Sequence, residues 1–279
     1  MNLSYDYTIE CVTVEALLKG WAWRWSEQTL EVVASEQTFT LPLINPATGA
    51  PSKLFSLAGK IDGIVRLEDG RLAVIEHKLL GEDISSDGEI WRRLQMEQQI
   101  SLYVYAARQL GWDVSAVLYD VARKPTIKPT PVPLVDANGQ KVVVDKQGSR
   151  VFTKQGKPRQ TIDTGEGWII QSRAMTPEEW SEKLLADIQE RPEYYFARVE
   201  IARLDSEIDE VCQEVWDQAK AIRDAQLYAR WYRTVSRNTC PFCAWFSLCS
   251  SKRDLTYDDC PEGFGYVENV HPELKMETA

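Results

Sequence analysis

Three charged residues interrupt two short apolar runs in a pattern that could do chemistry. From Ile61 to Leu67, and again from Leu72 to Ile75, the chain is crowded with strand-forming apolar residues, and Glu68-Asp69-Gly70 between them supplies turn chemistry. The stretch Phe55–Leu79 therefore predicts two antiparallel strands, with Asp62 on the first and Glu76 and Lys78 on the second. Successive side chains on a strand alternate faces, so Glu76 and Lys78 share one face and His77 takes the other. Charge among apolar neighbours is costly unless it is paired or metal-bound. An isolated Glu-x-Lys is usually an ion pair at a strand edge. Two carboxylates with a lysine beside them are also what hydrolysis of a phosphodiester by a divalent cation needs: oxygen ligands for a hard ion, and a positive group near the attacking water.

Register decides whether these residues can meet. A two-residue Asp69-Gly70 turn would pair positions summing to 139 and set Asp62 opposite His77, on the wrong face. A three-residue loop, Glu68-Asp69-Gly70, with Gly70 left-handed, makes the sum 138 and sets Asp62 opposite Glu76; this is the expected arrangement.

The elements that must position the hairpin follow from periodicity. Val12–Glu27 predicts a helix with Leu17, Leu18, Trp21 and Trp25 on one core-facing side, and Leu30–Leu43 predicts a strand ended by Asn45-Pro46. Beyond the hairpin, Glu89–Leu110 predicts one helix stopped by Gly111, with Gln99 and Tyr103 one turn apart on one face. Taken alone, that pair is the polar rim of an amphipathic helix. Val114–Ala122 predicts a buried strand, giving a β-β-β-α-β order and hence a mixed sheet covered by helices. Pro177–Gln189 and Leu204–Ala225 predict helices around a strand-like Phe196–Leu204. No internal repeat or low-complexity tract is expected. The expected division is a core over 1–123, a basic arm or hairpin insertion over 124–160, and a helical cap over 161–279.

Net charge is −10, which argues mildly against a nucleic-acid partner, but its distribution argues the other way. Residues 123–159 carry nine Lys or Arg against two Asp, whereas 178–224 carry fourteen acids against six bases. The basic stretch holds Pro125, Pro129, Pro131 and Pro133 and the turns DANGQ and KQGSR, with a small hairpin expected over Lys141–Thr153. It is either a solvated loop or an arm whose Arg123, Lys124, Lys128, Lys154, Lys157 and Arg159 contact phosphates. No apolar run approaches a membrane span and no signal peptide is recognised, so cytoplasmic residence without membrane contact is the default expectation. With only His77 and His271, a Ser-His-Asp triad or a histidine-rich zinc site is disfavoured. Cys240, Cys243 and Cys249 form a C-x2-C-x5-C group among apolar and aromatic residues, which suits an iron–sulfur cluster better than a zinc ribbon.

The order Gly59-Lys60-Ile61-Asp62, Val74-Ile75-Glu76-His77-Lys78, then Gln99-x-x-x-Tyr103 resembles the PD-(D/E)xK nucleases. More narrowly it resembles the RecB-like and AddB-like exonuclease branch, which includes CRISPR-adaptation and phage exonucleases; the likeness covers about Val32–Val121. The resemblance implies a restriction-endonuclease-like α/β fold: a mixed central sheet flanked by helices, here with the basic arm and the C-terminal helical cap. It implies a metal-dependent deoxyribonuclease in which Asp62, Glu76 and the His77 backbone carbonyl hold Mg²⁺ or Mn²⁺. Lys78 would act on the water, and Gln99 and Tyr103 would position substrate or the lysine. DNA ends, single- or double-stranded, and a recombination or repair protein are the implied partners. A 4Fe–4S cluster would take Cys240, Cys243 and Cys249 with a fourth thiolate from Cys11, Cys212 or Cys260; Cys11, ahead of the core, ranks first. One departure is the lack of a GTxxH-type histidine before the hairpin, the family's usual additional ligand. Another is how close to the core the chain begins, so either the start is truncated or another residue substitutes. Rival readings are a catalytically inactive nuclease-fold module that binds DNA or recruits a partner, and a structural iron–sulfur or zinc protein.

Overall fold

Runs of β-branched residues separated by turn chemistry, then helices whose apolar stripes need a surface to cover, build a mixed α/β architecture. The computed structural model describes residues 3–28, 30–243 and 246–250. In chain order they form α1 (Leu3–Arg24), β1 (Glu31–Ile44), β2 (Pro51–Arg66), β3 (Leu72–Leu80), α2 (Glu89–Gln95), α3 (Gln98–Gln109) and β4 (Val114–Arg123). The short strands β5 (Val132–Pro133), β6 (Val143–Val144), β7 (Ile169–Ile170) and β8 (Ser172–Arg173) follow. Then come α4 (Pro177–Glu190), α5 (Pro192–Tyr195), β9 (Phe196–Ala202), α6 (Asp205–Tyr228), a 3-10 turn (Cys240–Phe242) and α7 (Phe246–Ser250). Five strands make one mixed sheet in the order β1-β2-β3-β4-β9. The strand-like Phe196–Leu204 is thus the edge strand of the main sheet. By contact the chain divides into one unit of residues 1–30, 77–96 and 119–199 and another of 31–76, 97–118 and 200–279.

In the first unit, α1 packs on α4. Ala16, Leu17 and Trp25 bury against Trp180, Leu184, Ile188, Tyr195 and Phe196. Gly20 makes the approach possible, since a Cβ there would lie 2.8 Å from Ile188 Cγ2. The helix starts nine residues before the expected Val12, because Leu3, Tyr5, Tyr7, Ile9 and Cys11 alternate with polar residues instead of repeating at helical spacing. Leu18, expected in the core, is exposed; with Leu17, Trp21, His77, Lys78 and Asp120 it lines an open cavity of about 400 Å³. A capping box starts α4: Thr176 Oγ1 accepts from Glu179 N at 3.2 Å, and Thr176 N donates to Glu179 Oε2 at 2.9 Å.

The basic stretch of this unit is a ladder of three near-identical turns, which corrects the expectation that the chain has no repeat. In Asp136–Gln140, Asp145–Ser149 and Thr153–Lys157 the first residue's N–H donates to the fifth residue's carbonyl, and the glycine's N–H donates back to the first residue. The glycines, Gly139, Gly148 and Gly156, have φ of 74°, 82° and 76°. Asp136 and Asp145 each accept two further backbone N–H bonds, and Thr153 accepts one. Rungs are joined by Val142, Val151 and Arg159 N–H groups donating to Leu134, Val143 and Val151 carbonyls. The turn at Asp145 lies inside the expected Lys141–Thr153 hairpin, but one hairpin is only a third of the pattern.

The predicted single helix is two: α2 ends in the first unit and α3 begins in the second. Met96 caps α2 and Glu97 is extended at the start of α3 (φ −71°, ψ 119°). The stripe explains the break: α2 buries Ile90, Trp91 and Leu94, whereas α3 restarts with Ile100, Val104 and Ala107, out of phase with one continuous helix. Gly111, at φ 94°, ends α3 as expected, with Trp112 N–H reaching the Ala107 carbonyl and Gly111 N–H reaching Arg108. Helix α6 lies on α3, joined by Arg108–Asp205 at 2.7 Å and by Gln98–Glu214.

Candidate active site

The site hairpin is closed by the same turn that repeats in the ladder. Leu67 N–H donates to the Arg71 carbonyl at 2.9 Å, Gly70 N–H donates to the Leu67 carbonyl at 2.9 Å, and Gly70 is left-handed at φ 88°. Arg71 reinforces it, bonding Asp69 Oδ2 at 2.7 Å and Glu200 of β9 at 2.7 Å. With three loop residues the β2–β3 register runs Arg66↔Leu72, Val65↔Ala73, Ile64↔Val74, Gly63↔Ile75, each pair summing to 138. Continued one step beyond Gly63↔Ile75, that register brings Asp62 opposite Glu76. The two carboxylates therefore leave the sheet on the same face.

Glu76 is buried at 5% exposure whereas Asp62 is exposed, so the pair spans the boundary between protein and solvent. Lys78 follows two positions along β3, half-buried, and alternation puts it on the Glu76 side. His77 points the other way: its ring meets Trp21 edge-on at 6.5 Å, and its Nδ1 is 3.8 Å from Asp120 Oδ2. On the β1 side of β2, the position opposite Asp62 is Glu36, held in a left-handed conformation at φ 49° and paired with Lys60 at 3.0 Å. A left-handed non-glycine residue inside a strand is uncommon, and sequence reading offered no sign of it.

On α3, Gln99 Nε2 donates to Tyr103 Oη at 2.8 Å. The Tyr103 ring sits edge-on to Phe39 of β1 at 6.3 Å. Phe39 lies across from Gly59 of β2, where a Cβ would approach its ring to 2.7 Å. The glycine of Gly59-Lys60-Ile61-Asp62 thus seats the aromatic that Tyr103 leans on. Gly63, on the other side of Asp62, is equally constrained: a Cβ would meet Ile75 Cγ2 at 3.0 Å and the Ala34 carbonyl at 3.1 Å.

Sequence reading missed the buried polar knot of the first unit. Asp120 on β4, at 3% exposure, accepts from Trp21 Nε1 at 3.0 Å and from Arg198 Nε and Nη2 at 3.1 and 3.0 Å. Arg198 also lies over the Trp25 ring at 4.2 Å and donates to the Gln28 carbonyl at 2.9 Å. The signal was available, an aspartate inside the apolar run Val117-Leu-Tyr-Asp-Val-Ala122.

Of the arm residues, Lys124, Lys128, Lys154 and Lys157 are exposed. Arg123 pairs with Asp83 at 3.2 Å and lies over Tyr194, and Arg159 lies over Trp168 at 4.7 Å. The cysteines are free: Cys11 is exposed on α1 in the first unit, while Cys240, Cys243 and Cys249 belong to the second. Cys240 Sγ accepts from Ser236 N at 3.3 Å. Cys212, in α6, is half-buried, and burial followed by the charge of Asp209 pushes its thiol pKa up. Among the described residues no group of three or more His, Cys, Asp or Glu is gathered to hold a metal, so the cysteines are not brought together there. Cys260 lies outside the described residues.

The model of the PD-(D/E)XK nuclease superfamily matches residues 5–250, and the chain belongs to that superfamily. The mixed sheet with flanking helices is accordingly a restriction-endonuclease-like fold. Members are generally nucleases that use divalent metals such as Mg²⁺ or Mn²⁺. No curated protein matches the chain. Among the described residues no helix is long and apolar enough to cross a membrane.

Proposed function

We propose that this chain is a metal-dependent deoxyribonuclease of the RecB-like and AddB-like branch, working from DNA ends as an exonuclease. The observation that supports the reading is the β2–β3 register, whose pairs sum to 138 and which, continued one step past Gly63↔Ile75, would bring Asp62 across from Glu76, two positions before Lys78. Had the turn held two residues, the carboxylates would leave opposite faces.

The donor chemistry fits a hard cation. Asp62, Glu76 and the His77 carbonyl are oxygen ligands, and so small a set suits an ion such as Mg²⁺ that keeps several waters and takes the rest of its shell from phosphate. When bound, the cation supplies positive charge to the scissile phosphate and makes water more acidic. Lys78 orients the attacking water and offsets charge growing on the phosphoryl oxygens. Gln99 and Tyr103, hydrogen-bonded to each other and braced by Phe39, hold substrate or the lysine in line. The exposed Lys124, Lys128, Lys154 and Lys157 contact backbone phosphates. The guanidinium groups of Arg123 and Arg159 are already engaged within the protein and brace the arm instead. With no gathered cysteines among the described residues, the iron–sulfur cluster is left out of this proposal.

The test is cleavage of end-labelled single- and double-stranded linear DNA with and without Mn²⁺, beside closed circles that offer no end. Glu76→Ala should lose Mn²⁺ affinity and cleavage together. Lys78→Ala should keep Mn²⁺ affinity by calorimetry while cleavage falls by orders of magnitude. Cleavage unchanged in either variant would remove this site, and equal cutting of circles would remove the exonuclease assignment.

A further inference from the structure

The strongest exposed feature outside the site follows α6. From Ala225 to Ser250 the chain holds Arg230, Arg233 and Arg237 and no Asp or Glu, in a protein of net charge −10. Aromatic residues interleave with those arginines and stand in solvent: Tyr228 is 67% exposed, Trp231 68% and Tyr232 87%. Ala229, left-handed at φ 49°, ends the helix, and Arg230–Val235 continues without regular structure. Among the described residues none of the three guanidinium groups makes an ion pair, whereas Arg108, Arg191 and Arg198 all do.

Large aromatic rings and arginines left together in water carry a free-energy cost that a partner can relieve. The chemistry selects the partner. Flat rings offer stacking to unpaired bases, at a spacing interrupted by cations that suit the phosphates between them, and this combination binds single strands without reading sequence. Duplex DNA hides its base faces and would use only the arginines. We infer that residues 228–237 form a stacking platform for single-stranded DNA, with Trp231 and Tyr232 taking bases and Arg230, Arg233 and Arg237 taking phosphates. The inference rests on the reading of the chain as a DNA nuclease, since it names the strand form delivered to that site.

Binding is measured in EDTA, so that cleavage plays no part, by fluorescence anisotropy with labelled oligo-dT, the same length of abasic sugar-phosphate, and a blunt duplex. The wild-type chain should prefer oligo-dT over both by about tenfold or more. Trp231→Ala and Tyr232→Ala should each weaken oligo-dT binding by about tenfold while leaving abasic binding unchanged, and Arg233→Gln should lower the salt dependence for all three. Equal affinity for oligo-dT and the abasic strand, or aromatic variants that bind normally, would overturn the platform. Variants that lose thermal stability with affinity intact would show that the rings are covered by the chain itself, which also overturns it. Should the wild-type protein cut nothing yet bind oligo-dT through Trp231, the nuclease reading fails and the platform stands.

Discussion

Replacing Asp120 by alanine removes one carboxylate and strands two donors at once. Its side chain is 1% exposed, and the Arg198 guanidinium it neutralises is 13% exposed, wedged over the Trp25 ring. Among the described residues the guanidinium pairs with no other anion, so Asp120→Ala leaves a buried charge with the Gln28 carbonyl as its acceptor there. Breaking such a pair from one side costs about 3–5 kcal/mol. Total stability for a domain is about 5–15 kcal/mol, so this single change removes about a fifth of it or more. Arg198→Met should cost about as much, because it strands the carboxylate instead. Trp21→Phe keeps the ring and loses one bond to a charged acceptor, about 1.5–3 kcal/mol. The double variant Asp120→Ala/Arg198→Met should fall far short of the sum of the singles, because no unpaired charge is left. Urea unfolding followed by tryptophan fluorescence gives all four values. Additive singles, or a cost below about 1 kcal/mol for Asp120→Ala, would refute the reasoning and mean that water reaches the knot.

Two glycine substitutions should separate turn strain from site geometry. Gly70→Ala meets nothing within 4 Å and should cost only the left-handed penalty, about 1–2 kcal/mol by thermal unfolding, with DNA cleavage retained. Gly59→Ala must push Phe39, and through it Tyr103, and should cost about 1–3 kcal/mol and lower kcat, read by steady-state kinetics. Glu179 is held from its ordinary 4.5 down to about 2 by the Arg173 guanidinium and then by the Thr176 N–H. A carboxyl depressed in this way stabilises the fold above its ordinary pKa and loses that contribution as the pH falls toward about 2. The stability gap between wild type and Glu179→Gln, followed by circular dichroism, should therefore be constant above pH 5 and close between pH 4.5 and 2. A gap unchanged at pH 2 would contradict this. Cys212, half-buried with its thiol pushed up, should react with iodoacetamide more slowly than the exposed Cys11 and Cys243.

How far the sequence could be read depended on whether the deciding interaction was local. The Glu68-Asp69-Gly70 loop and its register were legible because a glycine and loop length settle them within five residues. The end of α3 at Gly111 was legible for the same reason. The break at Met96-Glu97 was not, since both halves are good helix formers and only the phase of burial, a tertiary property, separates them. Charge in an apolar strand singled out Asp62 and Glu76, and the same rule applied evenly would have flagged Asp120. What the rule cannot say is whether the compensating partner is a metal or an arginine; Arg198 lies 78 residues away, and no spacing points to it. Leu18 failed for a related reason: a helix stripe shows which residues are apolar, while the neighbours decide how wide the covered strip is.

The ladder of turns at Asp136, Asp145 and Thr153 has a consequence for how this protein can change length. Each rung completes its own turn bonds and is joined to the next by one of these backbone bonds, with Arg150 also paired to Asp136, so its contacts are local and its contact order low. Losing or gaining a rung would shift the arm's tip by one hairpin while the outer pairs, Val132↔Arg173 and Pro133↔Ser172, still closed its base. Insertions and deletions should therefore be tolerated here in steps of eight or nine residues, the spacing of the turns, and resisted at sizes between. A graded set of constructed arms, each one rung longer, would vary the reach of lysines such as Lys146 and Lys154 without altering the fold that carries them.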